Sequence, residues 1–245
     1  MKKIRNAIYL IGGGLIGLSC LLSINKYINS DIAESTYRRI EQVGLGNNRS
    51  YNSYKEAINI SDLEEVKIVN FDLLKEQNHE TVGWISMEQL DIEYPIVQTT
   101  NNEYYLKHMF DGTKNECGTI MLNCDNKAEF TDQNSIIFGH TLNDNSMFGP
   151  LKELLNEKDN IENFIIYTPN ETIEYEVVIV AEVEKTDMIY QISFDETKPS
   201  NFQECVKNLK AKASYFVDPG VTADKIVTLS TCKGNKRLIV VARRV

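Results

Sequence analysis

The C-terminal part of the chain reads IVTLSTC over residues 226–232 and, after four further residues, RLIVVA over residues 237–242. Both runs are rich in β-branched side chains, which favour strands. The four residues between them, KGNK, place Gly-Asn at their centre, and this pair is typical of a two-residue hairpin turn. In that register Cys232 lies directly opposite Arg237, with Cβ atoms about 4.5–5.5 Å apart. The spacing therefore predicts that a thiol and a guanidinium share one site, the alternative being a surface arginine near a buried cysteine.

A histidine ends a third apolar run, which reads SIIFGHT over residues 135–141. The chain has two other histidines: His79 lies in a polar loop, and His108 lies in a predicted short helix. Only His140 ends a β-run in the way that Cys232 does. The thiolate form of a cysteine is the reactive nucleophile, and a nearby arginine stabilises its negative charge. The same arginine can stabilise the oxyanion of a tetrahedral intermediate, and a histidine can transfer protons. These residue types together predict acyl transfer through a thioester.

Short strands follow one another from residue 81 to the C-terminus. Eight runs bounded by Gly, Asn, Asp or Pro predict strands, at residues 82–85, 94–98, 118–122, 135–138, 163–167, 172–180, 226–230 and 237–241. Their spacing is too regular for a parallel sheet with crossover helices. The pattern therefore predicts a mainly β fold with accessory helices, in which eight strands form a closed or nearly closed barrel.

Three helices are predicted beside the strands. Residues 31–42 and about 70–77, the second with Asn70 as N-cap, predict an N-terminal helical segment that packs on the outside of the main domain or spaces it from the membrane. An apolar stripe that recurs every three or four residues predicts a third helix, through Phe202, Val206, Leu209, Ala213 and Phe216. This helix lies in a long insertion before the cysteine strand, at residues 185–224, and connections of this length are often functional.

The first 30 residues differ from the rest of the chain. Three basic residues precede an uncharged stretch at residues 6–25, and Lys26 follows it. This stretch is long enough to cross a bilayer as a helix, and the basic residues favour a cytoplasmic N-terminus. A cleaved signal peptide is the alternative. We therefore predict a basic tail and transmembrane anchor at residues 1–26, an extracellular linker or helical spacer at 27–69 and a catalytic domain at 70–245, on the outer face of the cell membrane.

Charge and cysteine content limit the classes of partner and cofactor. Residues 31–245 carry 35 acidic against 22 basic side chains, which disfavours nucleic acid as a partner. The five cysteines are odd in number and unclustered, which argues against a disulfide framework, although a Cys117–Cys124 pair is an alternative. No CxxC or CxxH pair suggests zinc, and we predict no metal and no cofactor. An exported domain with a free thiol suggests a chemical role for that thiol.

Several motifs resemble the sortase family. The sequence TLSTC at residues 228–232, followed by Arg237, resembles the TLxTC…R signature of sortases, and FGHT at residues 138–141 resembles their histidine motif. Class B sortases in particular are similar at TVGWI (81–85), YPIVQ (94–98) and NEYYL (102–106), and in the long helical insertion. The resemblance covers residues 70–245.

The resemblance implies a membrane-anchored cysteine transpeptidase built on an eight-stranded barrel. Such an enzyme cleaves a C-terminal sorting signal of a secreted protein after threonine and passes the acyl group to an amine of a peptidoglycan precursor or a pilin. By position, Cys232 is the nucleophile, His140 the acid and base, and Arg237 the residue that positions substrate and stabilises the oxyanion. Arg243 and Arg244 are alternatives to Arg237, at the far end of its strand.

Substrate contacts follow from the same resemblance and from position along the chain. The insertion is expected to wall one side of the groove, and residues 102–106 lie where class B enzymes line it. The candidate contacts are Asn102, Leu106, Tyr190, Ile192, Ser230 and Thr231. Ordinary loop and core packing is the alternative for the two insertion residues, and strand-end hydrogen bonding for Ser230 and Thr231.

Two other functions remain open at the level of sequence. A membrane-anchored cysteine peptidase that only hydrolyses uses the same thioester, because water and an amine attack the same carbonyl. A non-catalytic β-barrel interaction module with a relic site is the third possibility, and it predicts a Cys232 no more reactive than Cys117. The expected partners are a sorting-signal protein, an acceptor amine and a lipid bilayer.

Overall fold

A computed structural model describes residues 23, 26–45, 67–157, 161–194, 200–219 and 225–245. Within these residues nine strands form one sheet: β1 (Thr81–Met87), β2 (Ile92–Val97), β3 (Met121–Leu122), β4 (Asn134–Phe138), β5 (Phe164–Tyr167), β6 (Thr172–Val183), β7 (Ala213–Phe216), β8 (Ile226–Lys233) and β9 (Lys236–Arg244). Helices α1 (26–44), α2 (Phe71–Gln77) and α3 (Ser200–Lys210) accompany them.

Eight of these strands close into a barrel, as the sequence pattern predicts. Their order is β5-β1-β2-β3-β4-β8-β9-β6, and β6 pairs with β5 to complete the ring. The ninth strand, β7, pairs with the later part of β6, beyond the residues that pair with β5. Because β6 is 12 residues long, one edge of it serves both neighbours in succession.

Two local predictions are wrong. The helical stripe stops at Lys210, where α3 ends, and Ala213 and Phe216 belong to strand β7 instead. The open edge of β6 offers hydrogen bonds to this segment, and Val180 pairs with Tyr215. Residues 118–120 are not strand either, because Gly118 adopts a φ of +62°, which breaks an extended backbone.

The N-terminal helix α1 packs its apolar side on the barrel. Ala33, Tyr37 and Ile40 are buried in the main core, at the spacing that places residues on one face of a helix. The predicted cap of α2 is confirmed, since the Asn70 side chain accepts a hydrogen bond from the Leu73 amide. The helical segment is therefore part of the packed domain.

The predicted anchor falls almost entirely on residues outside the described part of the chain. Of residues 1–26, only Ser23 and Lys26 are described, and the linker residues 46–66 are also outside. Among the residues that the structure covers, no helix has the length and apolar character needed to span a bilayer. The anchor and the division of the chain into three segments stay predictions.

Two apolar clusters hold the domain together. The larger one fills the barrel and continues under α1. The smaller one lies on the outside of the sheet, where Phe202, Cys205 and Leu209 of α3 pack against Ile179 of β6 and Ile239 of β9. The insertion that carries α3 is thereby fixed to strands β6 and β9, and β9 is the strand that carries Arg237.

Candidate active site

The pairing of two strands distant in sequence brings the histidine and the cysteine to one edge of the sheet. Strands β4 and β8 run parallel, and Phe138 pairs with Ser230. His140 and Cys232 each lie two residues beyond that pair, and the Gly139 amide donates to the Ser230 carbonyl at 3.1 Å. Because side chains alternate along a strand, residues two positions apart lie on the same face.

The hairpin between β8 and β9 brings the arginine to the same place. Cys232 pairs with Arg237, as the spacing predicts, and Gly234 in the turn has a φ of +58°. A positive φ at the first central residue suits a type II′ turn, for which glycine is preferred. The Arg237 guanidinium donates through Nη1 to the Cys232 sulfur, which is exposed at the surface.

The ring of His140 is fixed from one side by backbone. Its Nε2 lies 2.8 Å from the carbonyl oxygen of Leu106. A carbonyl oxygen only accepts hydrogen bonds, so Nε2 carries a proton. Nδ1 is then the ring nitrogen that exchanges a proton with groups in the pocket.

A glycine lets the chain pass close to this ring. A Cβ atom at Gly118 would lie 2.9 Å from Cδ2 of His140 and 2.5 Å from the Tyr105 carbonyl oxygen. Both distances are shorter than real contacts allow, and the positive φ of Gly118 also disfavours a side chain. The strand predicted at residues 118–122 includes this glycine, and its contact with the imidazole was not predicted.

Two threonine hydroxyls join the histidine loop to the cysteine strand. Thr141 donates to the carbonyl of Cys232 at 2.8 Å, and its Oγ1 lies 2.7 Å from that of Thr231. Thr231 in turn donates to the Gly139 carbonyl at 2.7 Å. Thr141 is not among the predicted site residues, and its position directly after His140 is the one sequence signal that points to it.

The three candidate catalytic residues line one surface pocket of about 220 Å³. Four predicted contacts line it too, namely Asn102, Leu106, Ser230 and Thr231. Sequence analysis missed four further lining residues, which are Thr119, Met121, Phe138 and Gly139. Phe138 and Gly139 lie within the histidine motif, but nothing in the sequence separates Thr119 and Met121 from core residues.

The two remaining predicted contacts are placed differently. Tyr190 lies behind the pocket wall, where its hydroxyl is 2.8 Å from the Ser230 Oγ and its ring stacks on Phe138. Ile192 does not line this pocket, and its carbonyl accepts a hydrogen bond from the Asn134 amide. A direct contact of either residue with substrate stays a prediction.

Buried Asn134 fixes the insertion to the barrel. Its Nδ2 donates to the carbonyls of Ile189 and Gln191, at 2.6 and 3.0 Å, and its Oδ1 accepts from the Thr228 hydroxyl at 2.8 Å. These bonds hold the segment around Tyr190 against β4 and β8. Sequence reasoning did not single out Asn134, although a polar residue at the start of an apolar strand was a signal.

The other described cysteines differ from Cys232 in their surroundings. Burial raises the pKa of Cys117 to about 11 and that of Cys205 to about 12, so both thiols stay protonated at neutral pH. Cys117 and Cys124 are free thiols, so the alternative disulfide between them is not formed. Among the described residues, no cluster of three or more His, Cys, Asp and Glu side chains is placed to hold a metal ion.

Comparison with known proteins agrees with this fold. Residues 85–245 match the sortase domain family. Sortase B of Listeria monocytogenes is 35% identical over 169 residues, which cover 66% of this chain and 67% of that protein. Sortase B of Staphylococcus aureus is 26% identical over 226 residues, which cover 90% of this chain and 88% of that protein. A crystal structure of sortase B from Bacillus anthracis has a TM-score of 0.70 at 29% identity, covering 89% of this chain and 99% of that one.

The chain therefore belongs to the sortase family of cysteine transpeptidases, and its sortase B relatives place it in class B.

Proposed function

We propose that this chain is a membrane-anchored class B sortase. It cleaves a C-terminal sorting signal of a secreted protein after threonine and joins that protein to a cell-wall amine. The observation that carries the proposal is the single pocket in which Cys232, Arg237 and His140 converge. Cys232 is exposed, so a peptide substrate has access to this pocket.

The first step is attack of the Cys232 thiolate on the carbonyl carbon of the signal's threonine. The guanidinium of Arg237 donates a hydrogen bond to the Cys232 sulfur and stabilises the negative charge of the thiolate. As the S–C bond forms, the charge moves to the carbonyl oxygen. Arg237 has five N–H donors in a planar fork, so the same side chain supplies a hydrogen bond to that oxyanion.

Collapse of the tetrahedral intermediate breaks the C–N bond and leaves a thioester on Cys232. The departing nitrogen needs a proton, and protonated His140 donates it through Nδ1, while Nε2 stays bonded to the Leu106 carbonyl. The bond to Leu106 keeps the ring in one orientation through the transfer.

The second step resolves the thioester with an amine. The amine nitrogen attacks the thioester carbonyl, neutral His140 takes the proton from that nitrogen, and the C–S bond breaks to return the thiolate. The product has a new amide bond, and His140 is again protonated. Water attacks the same carbonyl in the hydrolytic alternative, so the acceptor decides between the two reactions.

Solved structures of relatives support a peptide donor and an amine acceptor. One is a Staphylococcus aureus sortase B–substrate complex, and another is a sortase B complexed with triglycine, both 22% identical to this chain and alike in fold. The uncharged stretch at residues 6–25, after three basic residues, supports an anchor with the catalytic domain outside the cell. Protection of the catalytic domain from protease added to intact protoplasts would contradict that orientation.

The test uses the full-length protein in detergent with a library of threonine-containing peptides. Mass spectrometry reads the products with and without triglycine. We expect cleavage after threonine in both cases and, with triglycine, a product that carries the N-terminal fragment joined to it. Cleavage that triglycine never diverts supports the hydrolytic peptidase instead.

Two cysteine variants control this test. Cys232→Ala removes the nucleophile and is expected to abolish both products. Cys205→Ala removes a buried sulfur on the inner side of α3, and this variant is expected to form both products. Turnover by Cys232→Ala would defeat the proposal.

A further inference from the structure

Helix α1 contacts both loops that flank the catalytic histidine in space. Asn115 lies on the loop before β3, and its side chain donates to the Asn29 carbonyl of α1 at 3.0 Å. Asp144 lies on the loop that follows His140, and its carboxylate accepts a hydrogen bond from the Ser30 hydroxyl of α1 at 2.6 Å. The segment predicted as a spacer therefore lies across the outside of the active-site loops.

Tyr37 makes the most deeply placed of these contacts. It is buried, and its hydroxyl donates to the Gly118 carbonyl at 2.6 Å. The Tyr37 oxygen also lies 3.1 Å from the Thr119 Oγ1, whose hydroxyl donates to the His108 carbonyl at 2.9 Å. Burial raises the pKa of Tyr37, so its hydroxyl keeps its proton and remains a donor.

The residue that Tyr37 holds is the one packed against the catalytic ring. Gly118 lies so close to His140 that an added Cβ would approach its Cδ2 to 2.9 Å and its Nε2 to 3.2 Å. The next amide, that of Thr119, donates to the Tyr105 carbonyl at 2.9 Å. Tyr105 directly precedes Leu106, the residue whose carbonyl bonds the histidine. The backbone of Gly118 and Thr119 thus connects Tyr37 to the two groups that orient the imidazole, which are Gly118 itself and the Leu106 carbonyl.

We propose that Tyr37 is a positioning residue for His140, and that α1 is a functional part of the active site. The Tyr37 hydroxyl fixes the Gly118 peptide against the ring and thereby keeps Nε2 on the Leu106 carbonyl. Without that bond the Gly118 loop relaxes, and the imidazole gains orientations in which Nδ1 does not reach the reacting nitrogen. The inference rests on the proposed role of His140 as acid and base.

A purely structural role for Tyr37 makes a different prediction. Loss of one buried hydrogen bond then lowers the free energy of unfolding and leaves the turnover of the folded protein unchanged. A positioning role lowers kcat, because small displacements of a catalytic group reduce rate strongly. It leaves KM nearly unchanged, since Tyr37 does not line the substrate pocket.

The experiment compares Tyr37→Phe with Tyr175→Phe in the full-length protein. Tyr175 is also a buried tyrosine, on β6, and it does not line the active-site pocket. Peptide turnover with triglycine is measured at a temperature where the fluorescence of Trp84, the only tryptophan, shows each variant fully folded. We expect kcat to fall about tenfold in Tyr37→Phe, with KM changed less than twofold, and wild-type values in Tyr175→Phe.

Histidine NMR supplies a readout that does not depend on turnover. The chain has three histidines, so ring signals of His140 are assigned by comparison with His140→Gln. In Tyr37→Phe we expect shifted ring signals for His140, with the ring signals of His79 unchanged. Unchanged signals and kcat in folded Tyr37→Phe overturn the inference.

The proposed function fails separately from this inference. If wild-type protein is inactive, or if His140→Gln retains full activity, the role of the histidine is wrong. If Tyr37→Phe is too unstable to assay, Gly118→Ala displaces the peptide that Tyr37 holds from the side of the imidazole, and wild-type kcat together with wild-type His140 signals in it overturns the inference.

Discussion

The hydroxyl of Thr141 donates to the carbonyl oxygen of Cys232 at 2.8 Å and so joins the histidine loop to the end of the cysteine strand. The bond lies beyond the last paired residues of β4 and β8, where ladder pairing no longer joins the two segments. The relative position of imidazole and sulfur therefore depends on side-chain hydrogen bonds as well as on strand pairing.

Thr141→Val is expected to lower kcat/KM about tenfold, because it removes this bond while keeping the shape of the side chain. The loss in the free energy of unfolding should be about 1 kcal/mol, since Thr141 is exposed. Peptide turnover and urea unfolding measure the two effects. Thr141→Ser keeps the hydroxyl and is the matched control, and equal losses in both variants would contradict a role for the bond.

Arg237→Ala is expected to lower kcat/KM by about 10²–10³-fold, the usual effect of losing an oxyanion donor. Arg237→Lys keeps the charge but lacks the planar fork, so it should recover only part of that loss. Steady-state kinetics with one peptide gives both values.

Arg243→Ala is the control for the alternative arginine. Arg243 bonds Glu176 through Nε at 2.7 Å, at the far end of β9, and it does not line the pocket. We expect near wild-type kinetics. A loss in Arg243→Ala larger than that in Arg237→Ala would reverse the assignment.

Iodoacetamide at pH 8 is expected to modify Cys232 before Cys117 and Cys205. Their pKa values of about 11 and about 12 lie well above this pH, so only about one thiol in a thousand or fewer is ionised. Raising the pH towards 11 increases the thiolate of Cys117, so its labelling should rise steeply. Peptide mapping after timed labelling measures the order, and labelling of Cys117 at the same rate as Cys232 supports the non-catalytic module.

Gly118→Ala is expected to cost more than 1 kcal/mol of stability and at least tenfold in kcat, because its Cβ meets both the Tyr105 carbonyl and the His140 ring. Gly112→Ala separates backbone strain from this clash. Gly112 also has a positive φ, of +78°, but the nearest atom to its added Cβ is 3.8 Å away. We expect Gly112→Ala to lose stability and keep kcat, and a similar loss of kcat in both variants would count against the close contact.

Local sequence determined the features that depend on neighbouring residues. The Cys232–Arg237 pairing was predictable because a two-residue turn fixes the register of a hairpin. The cap of α2 at Asn70 and the eight strands of the barrel followed in the same way, from short-range pattern and turn residues. Local sequence alone therefore predicts that the thiol and the guanidinium share one site.

Tertiary structure decided what depends on contacts between distant segments. His140 and Cys232 are 92 positions apart, and only the parallel register of β4 with β8 sets them level. Strand β7 formed against the open edge of β6, where inter-strand hydrogen bonds outweighed a helical pattern. The bond from Tyr37 to Gly118 likewise joins residues with no local relation. Residue pattern encodes which side chains face a core, but the choice of partner for each face and edge is made by the whole packed chain.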